Sequence, residues 1–561
     1  MKHTHIRING YYALIVLIFL LSLFIRAAFP IFAVGGAGYD DMLFVKLAAE
    51  IGGGHWLGDY NNLTHAKGVA YPVFLLLNHF SGLPLKLTEH ILYLFAAMYF
   101  STVVARVGAN KWIALSTFIL LAFIPTAWTH GVGGRVVREG LYVSLTLFLL
   151  ALAIRCWVEQ KNATLKEEID QKRPLLFTLG ITGGIYWLTR EEGAWLFPPL
   201  AILLGYWLIA HRSMLRSYRQ LLYFMALPVI SASLLIGIVN THNYQKYRVF
   251  RNNDFHSADF QAGYGALSRI RHDHWQRYVV FPKDARERAY RFSAAARELK
   301  PYFEGEIGTT WRDIGCKHLH IESCPEILSG WFMWALRDAV AAAGHYRNAK
   351  AAKAFYLRLA REIDEACKQH AGECLPRRDT MVPPWRDHYW ADTLAASKEV
   401  FTTLLTLDGA PVGVVPSLGS PEQLAFVTWM TNGPVAVSGY SVDEMCLNPP
   451  NQDCFKLVNR INIARFLATA EAGISQYGIP VALFLWGVWV AVAIWKRRAS
   501  AMLAIASALV AAVASRVVLL GLLEATSIPS NNMLYLSPVV PLAMALIPAV
   551  VFGFFGFLGK K

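Results

Sequence analysis

Long apolar runs separated by short polar connections dominate the chain. They cover residues 11–33, 89–107, 111–128, 139–158, 174–190, 193–210, 219–240, 476–496, 499–522 and 531–557. Segments of about 17–25 apolar residues are long enough to cross a bilayer as helices. The pattern therefore predicts a polytopic α-helical membrane protein with about ten transmembrane helices. A shorter, proline-interrupted run at 69–82 is more typical of an interfacial or re-entrant helix.

Basic residues concentrate in alternate connections, and this predicts the orientation. Both termini are basic, as are the connections 106–111, 159–173, 210–220 and 495–500. Because such segments stay in the cytoplasm, the other connections are expected outside. They are 34–88, 129–138, 190–193, 241–475 and 523–530. The expected location is a bacterial inner membrane, with these loops on its periplasmic face.

This topology divides the chain into three parts. Residues 1–240 form a module of seven spans with 34–88 as its first outer loop, 241–475 form a large extracytoplasmic domain of mixed composition, and 476–561 form three closing spans. Hydrophobic residues make up 55% of the chain, and the mean hydropathy is +0.35. The net charge of +14 reflects the basic cytoplasmic connections, so no nucleic-acid partner is expected. No dinucleotide, P-loop, zinc-protease or serine-hydrolase motif occurs.

Six of the seven cysteines fall in the 241–475 segment, as three close pairs. They are Cys316 and Cys324, Cys367 and Cys374, and Cys446 and Cys454. An even number confined to the segment that the charge pattern places outside predicts disulfides in an oxidising compartment. A zinc site with His318 and His320 as added ligands is the alternative, but no pair has the usual short zinc-ligand spacing. We predict that each bridge closes within its own pair.

Charged residues gather at the outer ends of the early spans. Asp40 and Asp41 follow the first span. Later outer connections and the ninth span add Arg135, Arg138, Glu139, Arg190, Glu191, Glu192 and Arg516. Three outer loops that present carboxylates beside arginines on one membrane face predict a cavity that binds an anion and performs acid or base chemistry.

Each of these residues also has a purely structural interpretation. Asp40 could cap the helix that follows it, and the Arg–Glu pairs could be ordinary interfacial ion pairs. Arg516 is different, because a guanidinium within a span is costly and needs a partner. The combination favours a functional site over a set of separate structural roles.

The first outer loop combines an acidic pair, an amphipathic helix, a Gly-x-Trp turn and a lysine before a proline. These features are carried by Asp40, Asp41, Phe44, Ala48, Gly54, His55, Trp56, Lys67 and Pro72. In this stretch of about 35 residues the chain resembles type C glycosyltransferases, above all lipid A aminoarabinose transferases and protein O-mannosyltransferases. Two departures from the family pattern are Asp41, where the family has Glu, and "GVAYP", where it has a double proline.

The resemblance implies an inverting hexosyl- or pentosyltransferase that takes its sugar from a polyprenyl phosphate and passes it to a glycan, lipid or protein acceptor. Asp40 is then predicted to be the general base, with Asp41 orienting it or holding a sugar hydroxyl. The donor phosphate would be bound by Lys67, Arg138, Arg190 and Arg516. The sugar or acceptor would be bound by Glu139, Glu191, Glu192, Trp56 and Tyr71.

Other functions are open at this point. An oligosaccharide ligase or oligosaccharyltransferase of the same fold would prefer a diphosphate donor, with a divalent metal between Asp40 and Asp41. A transporter or lipid flippase could use Arg516 on its substrate path. A non-catalytic receptor could bind a partner through residues 241–475. The gathering of charges at one membrane face, rather than at the midplane, counts against transport. No further cofactor is predicted.

Overall fold

The computed structural model describes residues 10–159, 165–210, 218–273, 275–319, 322, 324–437 and 452–559. Helices dominate these segments, and strand-like pairing within them is limited to isolated bridges. The first helices are α1 (Gly10–Arg26), α2 (Asp41–Gly52), α3 (Ala70–Ser81), α4 (Leu85–Gly108), α5 (Lys111–Ala122), α6 (Glu139–Trp157), α7 (Leu165–Thr189), α8 (Phe197–Ala210) and α9 (Tyr218–Tyr247). Helix α3 confirms the short helix predicted near 69–82.

The second half of the chain continues with shorter helices and then three long ones. The shorter helices are α10 (Ala258–Ser268), α11 (Lys283–Phe292), α12 (Ala294–Phe303), α13 (Glu306–Leu319), α14 (Ser329–Ala342), α15 (Ala349–Gln369), α16 (Tyr389–Thr406) and α17 (Pro421–Thr431). The long helices are α18 (Gln452–Trp495), α19 (Ala501–Thr526) and α20 (Val540–Leu558).

Seven helices of the described chain are long and apolar enough to cross a membrane. They are Leu85–Gly108, Glu139–Trp157, Glu191–Ala210, Leu222–Tyr247, Lys456–Trp495, Ala501–Thr526 and Val540–Leu558. The spans predicted at 11–33 and 111–128 correspond to shorter apolar helices, and the one predicted at 174–190 lies in α7. The chain is therefore an integral membrane protein, while the count of ten spans stays a prediction.

Close packing between α7 and α9 shows how small residues bring two helices together. Gly180 and Gly184 face α9, and a Cβ at Gly180 would overlap the Ser231 hydroxyl and the backbone at Pro228. Small residues spaced four apart allow membrane helices to approach closely and gain van der Waals contact. This contact holds α7, which ends one residue before Arg190, closely against α9.

The first outer loop and the outer helices share one hydrophobic core. Leu43 and Leu47 of α2 are buried in the same cluster as Phe260 of α10 and Leu336 of α14. The opposite face of α2 packs into a second cluster that contains Phe44. Helix α2, the amphipathic helix of the first outer loop, is therefore covered by protein on two sides.

The predicted 241–475 segment is not bounded by breaks in the structure. Helix α18 runs for 44 residues from Gln452 to Trp495, so it passes through position 475 without interruption. Helix α16 packs along the membrane helix α19, with Ser397 directly against Gly521. Part of the segment thus belongs with the membrane helices, and its treatment as a separate domain stays a prediction.

Two of the three predicted disulfides are formed within their pairs. Cys316 is bonded to Cys324 across a separation of 8 residues, and Cys367 is bonded to Cys374 across 7. The third predicted pair, Cys446 and Cys454, falls outside the described residues. The zinc alternative is not supported at the first pair, since both sulfurs are used in the bridge.

Peptide mapping without reduction should find all three local pairs oxidised. Each short loop should add about 2–3 kcal/mol to the free energy of unfolding by the chain-entropy relation. Cys156, which is free and buried in α6, is the internal control and should react with an alkylating reagent only after unfolding. Free thiols in the outer segment, or bridges between different pairs, would contradict the local pairing.

Candidate active site

The acidic pair sits where the chain turns into α2. Asp40 occupies the N-cap position, yet its side chain accepts no hydrogen bond from the helix. Its carboxylate instead lies 2.6 Å from the ammonium of Lys67. The capping interpretation of Asp40 is therefore wrong, because the group that capping would use is turned toward the charge cluster.

Lys67 is positioned by the neighbouring helix and by an aromatic ring. The next residue, Gly68, lies so close to the carbonyl oxygen of Leu188 that no side chain would fit there. The Lys67 ammonium lies 5.2 Å from the ring centroid of Trp334, within the range of a cation–π interaction. These contacts fix the lysine beside Asp40 and beside the end of α7.

Asp41 has a different environment from Asp40. It is only 1% exposed, and Arg135 donates hydrogen bonds to both of its oxygens. A bidentate guanidinium–carboxylate pair fixes both side chains in orientation. Asp41 is therefore held in place, whereas the side chain of Asp40 is 49% exposed and accessible to a ligand.

The second and third outer loops meet the first one here. Arg190, almost completely buried, binds Glu139 of α6 and lies 2.8 Å from Glu192. Arg138 lies 3.4 Å from Glu191, and that carboxylate also accepts a hydrogen bond from Asn253. The structure therefore brings charged residues from three outer loops together, as the sequence predicted.

Arg516 joins this cluster from α19. It donates hydrogen bonds of 3.1 and 2.7 Å to the backbone carbonyl of Tyr535, and it lies 3.9 Å from Glu192. One of its terminal nitrogens is buried without a hydrogen-bond partner. Glu192 is 38% exposed, so it is the second acid of the cluster that a ligand can reach.

Electrostatics separate the two aspartates. Desolvation raises the pKa of Asp40, but the positive charges of Lys67 and Arg135 outweigh it, so the pKa lies below its usual range. Desolvation dominates at Asp41 and raises its pKa, although Arg135 opposes the shift. Asp40 is thus the carboxylate that stays ionised and available over the wider pH range.

Two predicted sugar or acceptor residues lie away from the exposed face of the cluster. Tyr71 is completely buried, and its hydroxyl donates a hydrogen bond to Glu89. The indole of Trp56 donates to Asn243 and packs against His242 with ring centroids 4.4 Å apart. Their role in sugar binding stays a prediction.

Three aromatic residues beside the site, Tyr39, Trp311 and Trp334, could not be assigned to it from the sequence. Tyr39, the residue before Asp40, donates a hydrogen bond of 2.6 Å to Asp338, which also accepts one from Trp311. The Tyr39 ring lies 5.2 Å from that of Trp334. These outer residues follow the first loop by roughly 270–300 positions in the chain, and no spacing pattern links them to it.

The donor set does not suit a metal between the two aspartates. Asp40 is bound to Lys67 and Asp41 to Arg135. Within the described ranges, no group of three or more potential metal ligands comes together. Two carboxylates already neutralised by cations are a poor fit for a hard divalent ion, which requires several free oxygen ligands.

Comparison with known proteins gives few matches. No family model and no curated protein matches the sequence. Two crystal structures of ArnT from Cupriavidus metallidurans, one bound to undecaprenyl phosphate and one in the apo state, align with 97% of this chain and 78% of that chain. Sequence identity is 12% and 13%, and the TM-score is 0.31 in both cases. These neighbours belong to the lipid A aminoarabinose transferases, a group that the first outer loop resembles. At this identity and TM-score the likeness carries no inference about function.

Proposed function

We propose that this chain is an inverting glycosyltransferase that moves a sugar from a polyprenyl phosphate to an acceptor at the periplasmic face of a bacterial inner membrane. The observation that carries the proposal is the environment of Asp40. Its carboxylate is half exposed, free of its own helix, and placed beside a lysine among arginines at the outer ends of the spans. A base next to an anion site is what transfer from a lipid phosphate requires.

The reaction is a single displacement at the anomeric carbon. Asp40 accepts the proton of an acceptor hydroxyl while that oxygen attacks C1 of the sugar. The bond from C1 to the phosphate oxygen breaks, and the lipid phosphate leaves with the electron pair. Attack opposite the leaving group inverts the configuration. Asp41, fixed by Arg135, orients this end of α2.

The leaving phosphate needs cations that are not fully occupied. Lys67 has one carboxylate partner, and Arg138 reaches Glu191 only at 3.4 Å. We assign direct phosphate binding to these two residues. Arg190 and Arg516 lie behind Glu192 and add positive field to the same site. When the phosphate draws Lys67 away, Asp40 loses a charge that lowers its pKa, so it becomes a stronger base.

The sugar and acceptor are assigned to the carboxylates of the third outer loop. Glu192 is 38% exposed, and the residue before it, Glu191, is 9% exposed and lies next to Arg138. Exposed carboxylates accept hydrogen bonds from sugar hydroxyls. Glu139 is buried against Arg190, so we assign it the role of holding that arginine.

A donor panel separates this proposal from its alternatives. Purified protein in vesicles is incubated with polyprenyl-phosphate and polyprenyl-diphosphate sugars, with and without chelator. The proposal expects transfer from the monophosphate that chelator does not abolish. Transfer from diphosphate alone, with loss in chelator, would instead favour an oligosaccharide ligase. Movement of an intact donor across the vesicle membrane would favour a flippase.

Lys67→Ala should weaken the binding of a polyprenyl phosphate by about 10–100-fold, because one charge-assisted hydrogen bond to the phosphate is lost. The same change should move the acidic limb of the pH profile of kcat/KM, which reports the free enzyme in which Lys67 still pairs with Asp40, to higher pH. Lys67 lowers the pKa of Asp40, so its removal raises that pKa, and the base is protonated at a higher pH.

Lys46→Ala is the matched control, since Lys46 is an exposed lysine of α2. It should change neither the affinity nor the profile. Unchanged donor affinity in folded Lys67→Ala protein would show that the lysine is not a phosphate ligand.

A further inference from the structure

A separate cleft lies where the outer ends of α1, α4 and α18 meet. Its volume is about 300 Å³, and its charged lining residues are Arg26 and Lys86. Apolar walls are provided by Phe29, Leu87 and Leu457, among others. None of these residues belongs to the proposed catalytic cluster. The cleft therefore combines two cations with an apolar surface at the height of the outer membrane interface.

Arg26 is the more unusual of the two cations. It is 3% exposed at the end of an apolar helix, and its hydrogen bonds go to the backbone carbonyls of Phe29 and Gly133 at 2.9 and 2.8 Å. Among the residues that the structure describes, no carboxylate lies within ion-pair distance of it. Burying a guanidinium without an acidic partner is costly. A ligand with a negative charge would remove that cost.

The carboxylate of Glu89 does not neutralise Arg26, because it is already paired with Lys86. Glu89 lies 2.6 Å from the Lys86 ammonium and also accepts a hydrogen bond from Tyr71. Arg26 (+1), Lys86 (+1) and Glu89 (−1) leave one positive charge in this group. The group is thus suited to one monoanion.

The cleft faces the part of the surface that lipid covers. On α1, Leu20 and Phe24 are each 55% exposed, and on α18 Phe466 is 73% exposed. The guanidinium of Arg460 lies 4.8 Å from the ring centroid of Phe24, at the rim of this surface. Exposed apolar side chains on spanning helices are typical of contact with acyl chains. A ligand of the cleft would therefore carry its negative charge on a lipid.

We propose that this cleft binds the phosphate of an anionic diacyl phospholipid, with its acyl chains along α1 and α18. Arg26 and Lys86 hold the phosphate. Lys86 also donates a hydrogen bond to the backbone carbonyl of Arg135. Because Arg135 holds Asp41, a lipid bound to Lys86 would stabilise the position of Arg135 and, through it, of Asp41. The proposal concerns a second site and does not depend on the proposed reaction.

Native mass spectrometry of protein taken from nanodiscs of mixed phosphatidylglycerol and phosphatidylcholine tests it. The wild-type chain should retain phosphatidylglycerol over phosphatidylcholine by about tenfold. Arg26→Gln should lose that preference because the buried positive charge is gone. Leu457→Trp should also lose the preference, because the larger side chain fills the cleft while both cations stay in place. If Arg26→Gln does not fold, the result for Leu457→Trp tests the proposal alone.

Two controls test whether the effect is local. Arg106→Gln removes an exposed cation at the opposite end of α4, and Ile230→Trp enlarges an exposed apolar residue of α9, which is not part of the proposed lipid surface; both should retain the preference. The proposal is overturned by a wild-type chain without preference, or by a folded Leu457→Trp variant that keeps it. Displacement by inorganic phosphate would show a free-anion site, and displacement by a polyprenyl phosphate would show that the cleft belongs to the donor; either result overturns the phospholipid assignment.

Discussion

Asp40→Asn should lower the rate of sugar transfer by about 10²–10⁴ while donor binding is kept. Asparagine has nearly the shape of aspartate but cannot accept a proton from the acceptor hydroxyl. The substitution also releases Lys67 from its 2.6 Å ion pair, so the affinity for a polyprenyl phosphate should stay the same or increase. Loss of turnover with intact binding is the signature of a missing base rather than of a damaged site.

The measurement pairs initial rates of transfer with equilibrium binding of the lipid phosphate. Asp59→Asn is the matched control, since Asp59 is an exposed acid of the same loop and should leave both quantities unchanged. Near-normal turnover of folded Asp40→Asn protein would refute the mechanism. Loss of turnover in Asp41→Asn alone would exchange the roles of the two aspartates.

Arg190→Gln should lower the free energy of unfolding by about 3–5 kcal/mol, the usual cost of removing one partner from a buried ion pair. Arg190 is almost completely buried between Glu139 and Glu192. Without Arg190, the carboxylates of Glu139 and Glu192 lose the positive charge that pairs with them in a largely buried site. Its guanidinium also lies 5.2 Å from the ring centroid of Tyr535, a contact that glutamine does not replace.

Arg173→Gln, in α7, which ends one residue before Arg190, is the control. Its ion pair with Asp170 is exposed, so the substitution should cost only about 0–1 kcal/mol. Unfolding in mixed detergent micelles measures both changes. Equal stability of the two variants would mean that the buried cluster does not hold the outer ends of α6 and α7 together.

The parts of the fold that depend on local composition could be predicted from the sequence. Apolar runs located α4, α6, α19 and α20, because a bilayer selects for length and hydropathy within one segment. The short spacing between Cys367 and Cys374 predicted their bridge. The meeting of Asp40, Lys67 and Arg138 could also be anticipated, since all lie in connections predicted on the same side of the membrane.

Features that depend on tertiary packing could not be predicted. Trp334 packs over Lys67, and Asp338 holds Tyr39, only because the outer helices close over the first loop. The apolar run in the sequence begins only at 476, whereas helix α18 begins at Gln452, so the boundary placed at 475 falls inside a helix. The partner of Asp41 is Arg135, one of several arginines in the outer loops, and the sequence does not rank them.

The central claim is that this chain moves a sugar off a polyprenyl phosphate by a single displacement. The most direct test follows a radiolabelled sugar from a polyprenyl-phosphate donor into an envelope extract that supplies the acceptor, using purified protein in vesicles, with the anomeric configuration of the product determined by NMR. The account predicts that the label leaves the lipid and appears in a product of inverted configuration. Label that stays on the lipid with every donor in the panel, or a product of retained configuration, would contradict it.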